Sequence, residues 1–281
     1  MRWSGGVPVL RWDGGRVSVL AYGQQVAFRA VGPRRCPGAR ANPCPLDATV
    51  PARATGGQCP ECARLDRVHS VAADTIADDP RTYRVYLAWF GPGMTKVGIT
   101  AEERGDARLL EQGAVAFGWL GRGPLMAARR TEELLRHALR VPDRIPYARK
   151  RAVRHGLPGP DARRREIEEL YGRATALPGW AETLERLEFQ TYDHAEAFGL
   201  DGLPPLSGTV TELVDGGVVA GRLLAAAGPD LHLRDAAGRC LAVDTRVVRG
   251  WGLVSADPGH RVTVPVRKAD TDVQDELFPL E

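Results

Sequence analysis

Between Gly32 and Asp66 the chain consists largely of Pro, Gly, Arg and Cys, with almost no large apolar residue. A stretch of that composition cannot bury a core, so it is either disordered or organised by something other than hydrophobic contact. Four of the five cysteines fall inside it, as Cys36-x7-Cys44-x14-Cys59-x2-Cys62. Two pairs of thiols on a chain rich in Gly and Pro suit a tetrahedral Zn²⁺ site, and four sulfur ligands leave no position open for a substrate. The reading is structural zinc held by Cys36, Cys44, Cys59 and Cys62, with unliganded thiols or an iron–sulfur cluster as the alternatives. His69 could replace one sulfur. The fifth cysteine, Cys240, falls in an expected strand and reads as a small buried hydrophobe.

The remainder has ordinary globular composition: 281 residues, 43% hydrophobic and 26% charged, with a net charge of only +3. That balance does not by itself argue for nucleic acid, so the distribution of charge must. The first residues show neither an uninterrupted apolar stretch nor a small-residue cleavage site, and no 18-residue charge-free apolar run follows. A cytoplasmic location is expected, which favours metal ligation over disulfides.

Residues 7–31 alternate loosely and read as two or three short strands. The most regular pattern covers residues 83–140. Tyr83 to Phe90 and Lys96 to Thr100 read as strands joined by the Gly91-Pro92-Gly93 turn, followed by a helix from Ala101 to Leu110. A third strand from Ala114 to Leu120 and a helix from Pro124 to Arg140 complete a ββαβα order, its first two strands an antiparallel hairpin. A further helix is expected from Asp161, carrying Ile167 and Leu170, and another over Ala181 to Phe189. After Pro204 and Pro205, short Val/Leu runs separated by Gly read as a small all-β barrel or sandwich. The expected organisation is an N-terminal β segment (1–35), a four-cysteine segment (36–70), the ββαβα domain (80–141), a basic helical region (142–203), the β module (204–268) and an acidic tail (269–281).

The blocks Val85-Tyr86-Leu87-Ala88, Lys96-Val97-Gly98-Ile99-Thr100 and Gln112-Gly113-Ala114, behind a cysteine-rich lead-in, resemble a bacterial domain-of-unknown-function family over most of residues 7–260. More remotely, residues 83–140 resemble the GIY-YIG nuclease superfamily, whose fold is a three-stranded antiparallel sheet packed by helices. That resemblance implies an α+β fold class and places a first-strand tyrosine at Tyr86, a second-strand glycine at Gly98, a helix arginine at Arg108 and a metal-binding glutamate at Glu132. Arg104 and Glu133 are the neighbouring alternatives, and the apolar Leu135 and Leu139 favour Glu132 in register. The superfamily's second tyrosine is absent, Val97 standing immediately before Gly98.

In the implied chemistry Glu132 holds Mg²⁺ or Mn²⁺ against a phosphate oxygen, Arg108 clamps the phosphate, and Tyr86 activates water as a phenolate. Lys96 lowers the Tyr86 pKa or binds phosphate, and Gly98 lets substrate backbone approach. Each of these residues also has a plain structural reading, as strand packing or a solvated charge.

Between Arg122 and Arg165 thirteen Arg and Lys residues face four acids. Arg144, Arg149, Lys150, Arg151 and Arg154 would track a phosphate backbone, with Tyr147 stacking on a base. From Asp270 to Glu281 there are five acids and no base, and Gln274, Leu277 and Phe278 there resemble the short peptide by which bacterial replication and repair proteins dock on the sliding clamp. The leading expectation is a DNA- or RNA-binding protein with Mg²⁺-dependent phosphodiester hydrolysis. The alternatives are a non-catalytic binding or scaffold module, and an enzyme acting on a small phosphorylated substrate.

Overall fold

The computed structural model describes residues 1–68, 79–142 and 144–269. In chain order the elements are β1 (Arg2–Ser4), β2 (Val7–Arg11), β3 (Val17–Val19), β4 (Gln25–Val31) and α1 (Pro60–Val68). Then come β5 (Thr82–Trp89), β6 (Thr95–Ala101), α2 (Ala107–Gln112), β7 (Ala116–Pro124), α3 (Leu125–Leu139), α4 (Tyr147–Val153) and α5 (Pro160–Thr175). The remainder is β8 (Glu185–Arg186), β9 (Thr191–Asp193), α6 (Ala195–Phe198), β10 (Gly208–Val210), β11 (Val218–Ala227), β12 (Asp230–Arg234), β13 (Cys240–Asp244), α7 (Thr245–Val248), β14 (Gly252–Ser255) and β15 (Val266–Lys268). No helix among the described residues is long and apolar enough to cross a membrane. Two compact units divide the chain.

The first unit holds residues 8–68 and 204–269. Its main sheet has seven strands in the order β14-β4-β11-β12-β13-β10-β15. Central β11 is buried along almost its whole length, so both of its faces are covered, whereas β4, also paired on both edges, buries only Val26 and Ala30 and leaves the rest partly or fully exposed. The pairing of β4 with β11, Phe28 opposite Val219, joins the 1–35 and 204–268 segments in a single sheet. Their separation in the sequence reading reflects only the chain between them, because backbone pairing partners are not encoded locally.

Arg34, directly after β4, is almost fully buried. Its guanidinium donates to the carbonyls of Pro51 (2.7 Å), Ala52 (3.1 Å), Ala54 (2.7 Å), Arg246 (3.0 Å) and Arg249 (2.9 Å). One side chain thus ties the cysteine segment to α7 at the end of the sheet. With only carbonyl partners, burial lowers its pKa from the usual arginine value.

The second unit holds residues 2–7 and 79–203. Its sheet runs β6-β5-β7-β8, with β9 also on β7. The expected ββαβα order is observed as β5, β6, α2, β7 and α3, and β5 with β6 forms the expected antiparallel hairpin. Central β5 is nearly all buried. One side of the unit's core gathers Tyr86, Phe90, Leu109, Phe117 and Trp119. On α3, Leu125, Ala128, Leu135 and Leu139 form the buried stripe, repeating at helical spacing. Helix α5 starts with Pro160 at its N-terminus and buries Ile167 and Leu170 as expected. The helix expected over residues 181–189 is absent. Instead β8 lies along β7, where Gly121 and Gly123 leave room that a Cβ would take from the Glu185 and Thr183 carbonyls. An open sheet edge with glycines at the contact outweighs weak helical periodicity.

Candidate functional site

In the first unit, the cysteine segment folds so that all four Sγ atoms lie within 4.8 Å of one another. Cys36, Cys59 and Cys62 are buried and Cys44 is half-buried. Cys59 immediately precedes Pro60, the first residue of α1, and Cys62 sits in that helix's first turn. The amides of Gly38 (3.4 Å) and Cys59 (3.2 Å) donate to the Cys36 sulfur. Gly38 itself has φ 80°, and a Cβ there would overlap the Asn42 carbonyl, so only glycine closes this knuckle.

Hydrogen bonding, chiefly to the Ala48 backbone, brings the Cys44 thiol down to about 7, while burial and the neighbouring sulfurs push Cys62 well above the ordinary thiol range. Crowded sulfurs resist joint ionisation until a cation compensates them. These four residues could hold a metal ion. His69 lies outside the described residues.

In the second unit, Tyr86 on β5 pairs with Gly98 on β6. Its ring lies across that glycine, where any Cβ would overlap the phenol. The glycine therefore seats Tyr86, and the expectation that it admits a substrate backbone gives way to this packing role. Only 1% of Tyr86 is exposed, and its hydroxyl accepts a hydrogen bond from Gln112 Nε2 at 3.0 Å. Trp119 meets the ring edge-on at 6.3 Å.

Burial pushes the Tyr86 phenol above its ordinary value; the Gln112 hydrogen bond and the Arg108 guanidinium pull it down, and the Glu132 carboxylate pushes it up. Arg108 from α2 and Glu132 from α3 thus both act on the hydroxyl of a β5 residue. The net direction is opposite to what a phenolate base needs. Arg108 is exposed and Glu132 half-buried, whereas Glu133 is exposed and Arg104 is paired with Glu111 at 2.8 Å. Lys96 is half-buried on β6.

The basic segment divides. Arg144 and Arg149 are exposed, but Lys150, Arg151 and Arg154 are buried, which takes these three off the surface track expected for them. Lys150 Nζ donates to the Gln112 carbonyl at 2.9 Å and lies over the rings of Phe90 (3.6 Å) and Tyr147 (4.6 Å). One face of Tyr147 is therefore occupied by an ammonium, and its hydroxyl donates to the Glu111 carbonyl at 3.3 Å. The segment's aromatic and its lysine hold α4 to the end of α2.

Two residues escaped sequence reasoning. Gln112, the direct partner of Tyr86, was visible only as the first letter of a recurring block. His194, just before α6, contacts the Ala114 carbonyl through Nδ1 (3.0 Å) and the Asp106 carboxylate through Nε2 (3.2 Å). These contacts reach both ends of α2, the helix of Arg108 and Gln112, from about 80 residues downstream. No local pattern could have announced them. Gln274, Leu277 and Phe278 lie outside the described residues.

Fold and thiol geometry together define a mixed α+β protein with several sheets and a cysteine cluster able to take a metal. Within that class, the chain belongs to the family described as Protein of unknown function (DUF2797), which matches residues 23–253. The family resemblance carried by the blocks at Val85, Lys96 and Gln112 is borne out. No curated protein and no solved structure matches the chain.

Proposed function

We propose that the second unit is a GIY-YIG-like nucleic-acid-binding domain whose Tyr86, Arg108 and Glu132 cluster hydrolyses a phosphodiester in the presence of Mg²⁺. What supports this reading is the ββαβα order that puts Tyr86 on the central strand, Arg108 on α2 and Glu132 on α3, with both charges felt electrostatically at the Tyr86 phenol. Arg108, exposed on α2, can meet a phosphate from solvent and hold its developing charge. Tyr86 keeps its proton near neutral pH, so it orients Arg108 and Gln112 and is not the base.

Among the described residues only the four cysteines cluster as three or more metal-ligating groups. Glu132 is the residue that would hold Mg²⁺ in this reading, through its single carboxylate. When bound it supplies Lewis acidity at a non-bridging oxygen. Lys96 adds positive charge on the adjoining strand.

At the thiol cluster the proposed ion is structural zinc. A tetrahedron with Zn–S bonds of about 2.3 Å has edges of about 3.8 Å, and the Cys44 and Cys59 sulfurs are 3.8 Å apart.

The test is cleavage of labelled single-stranded, duplex and branched DNA and RNA with Mg²⁺ or Mn²⁺, comparing wild type with Glu132→Ala in equally folded, zinc-loaded preparations. Cleavage by the wild type that is lost in the variant supports the reading. Tight binding without cleavage by either protein favours the non-catalytic module, a reading supported by the burial of Tyr86. Neither binding nor cleavage rejects both.

A further inference from the structure

The main sheet of the first unit carries a like-charge pair. Arg222 on β11 stands directly opposite Arg234 on β12, and each is exposed where the rest of its strand is nearly all buried. Side chains directly opposite on antiparallel strands share a face with Cβ atoms about 5 Å apart, and like charges there repel. The Arg222 guanidinium is laid along the turn before β4, 3.4 Å from where a Cβ on Gly23 would stand.

Among the described residues neither guanidinium has a hydrogen bond or an ion pair. The adjacent carboxylate, Asp235, is buried and engaged by Arg239 at 2.7 Å. On the flanks of the pair stand Gln25, opposite Arg222, and Cys240, opposite Arg234. Burial pushes the Cys240 thiol up to about 11, so it supplies no negative charge near neutral pH.

The same cross-strand row leads to the last described residue. Ser207 N donates to the Cys240 carbonyl at 2.8 Å, and Ala269 N donates to the Ser207 carbonyl at 3.2 Å. Ala269 therefore leaves the sheet at the level of the pair, with β10, β13, β12 and β11 following β15 in order. At about 4.8 Å per strand, Arg234 and Arg222 lie about 14 and 19 Å along that row. An extended chain covers about 20 Å by Asp275, at about 3.3 Å per residue. Residues 270–281 hold five acids and no base.

We propose that the acidic segment 270–281 is the ligand of this pair, seating carboxylates from among Asp270, Asp272, Asp275 and Glu276 between the Arg222 and Arg234 guanidinium groups. An anion there replaces the repulsion with charge-assisted, forked contacts. The short tether keeps the carboxylates at an effective concentration on the order of millimolar, so individually weak contacts suffice. The proposal is independent of the chemistry assigned to the second unit.

The experiment follows the amide resonances of residues 272–278 in the nitrogen-15-labelled full chain and compares them with a synthetic peptide of residues 270–281. In wild type at about 50 mM salt they should differ from the peptide, and at about 1 M salt, where the screening length is about 3 Å, they should move onto it. The double variant Arg222→Gln/Arg234→Gln should show the peptide positions already at low salt. Arg29→Gln removes an exposed arginine from the same sheet face and should leave the resonances displaced. Wild-type resonances that match the peptide at low salt overturn the proposal, as do resonances that stay displaced in the double variant. An equal effect of Arg29→Gln also overturns it, since net charge would then suffice. As a second reading, Arg222→Lys/Arg234→Lys is treated with a zero-length carbodiimide: linkage of the amines introduced at 222 or 234 to carboxylates of 270–276 supports the contact, and its absence from peptide maps counts against it.

Discussion

The cysteine segment of the first unit and the central sheet of the second reach order by opposite means. Around the thiols the buried apolar residues are Ala39 and Val50, with Ala48 and Ala54 partly buried against them. Around Tyr86 they are Phe90, Leu109, Phe117 and Trp119. A fully buried large side chain contributes about 1.5 to 3 kcal/mol and an alanine far less. The sheet can therefore stand on packing, whereas the segment has little to stand on besides the five carbonyls gathered by Arg34 and the metal its four sulfurs could hold.

If the thiol cluster holds zinc as proposed, the largest effect comes from removing it. Chelation, or Cys59→Ser with Cys62→Ser, is expected to abolish hydrogen-exchange protection in residues 34–66 while β5, β6 and β7 keep theirs, since structural zinc contributes on the order of 10 kcal/mol. Unchanged protection in 34–66 would break the contrast, showing that packing alone suffices there.

Next in size, Arg34→Met should leave up to five carbonyls without their donor and destabilise the first unit by about 3 kcal/mol, read from denaturant unfolding of the zinc-loaded protein. A loss below about 0.5 kcal/mol would mean that those carbonyls find water instead.

In the second unit the matching perturbation is steric. Gly98→Ala should cost about 1 to 3 kcal/mol because the new methyl meets the Tyr86 ring. Tyr86→Leu should relieve that clash, so the two changes should be strongly non-additive in a double-mutant cycle. Additivity would remove Gly98 as the seat of the ring.

Smaller again is Tyr86→Phe, which strips the acceptor from Gln112 and should cost about 1 kcal/mol in stability.

The acid response gives the finest comparison. The Arg81 guanidinium beside Asp79 holds its carboxyl well below the usual carboxylate range. A depressed folded-state value means that this stabilisation is complete above the unfolded value near about 3.9 and is lost as pH falls through the folded one. Unfolding of the second unit followed below about pH 4 should therefore be shallower in Asp79→Asn, and an identical pH profile would dismiss the pair.

Much of this protein was legible because it is local. Hydrophobic spacing marked β5, β6, β7 and α3 to within a few residues, and the count and spacing of the cysteines marked the thiol cluster. The register that chose Glu132 over Glu133 came from Leu135 and Leu139, both of which are buried. Charge was read less well. Lys150, Arg151 and Arg154 look like any solvated basic run, and only the rings of Phe90 and Tyr147 and the carbonyl of Gln112 explain why Lys150 is inside.

By itself, then, the amino-acid order determined element types, the thiol set and the candidate residues on each element. Periodicity and ligand spacing are properties of neighbours in the chain. Tertiary structure alone decided that β4 joins a sheet with strands about 190 residues downstream, that Gly98 serves Tyr86, and that His194 braces α2. Those outcomes depend on which backbone edges and cavities meet in space, and such partners are chosen by the whole chain's packing.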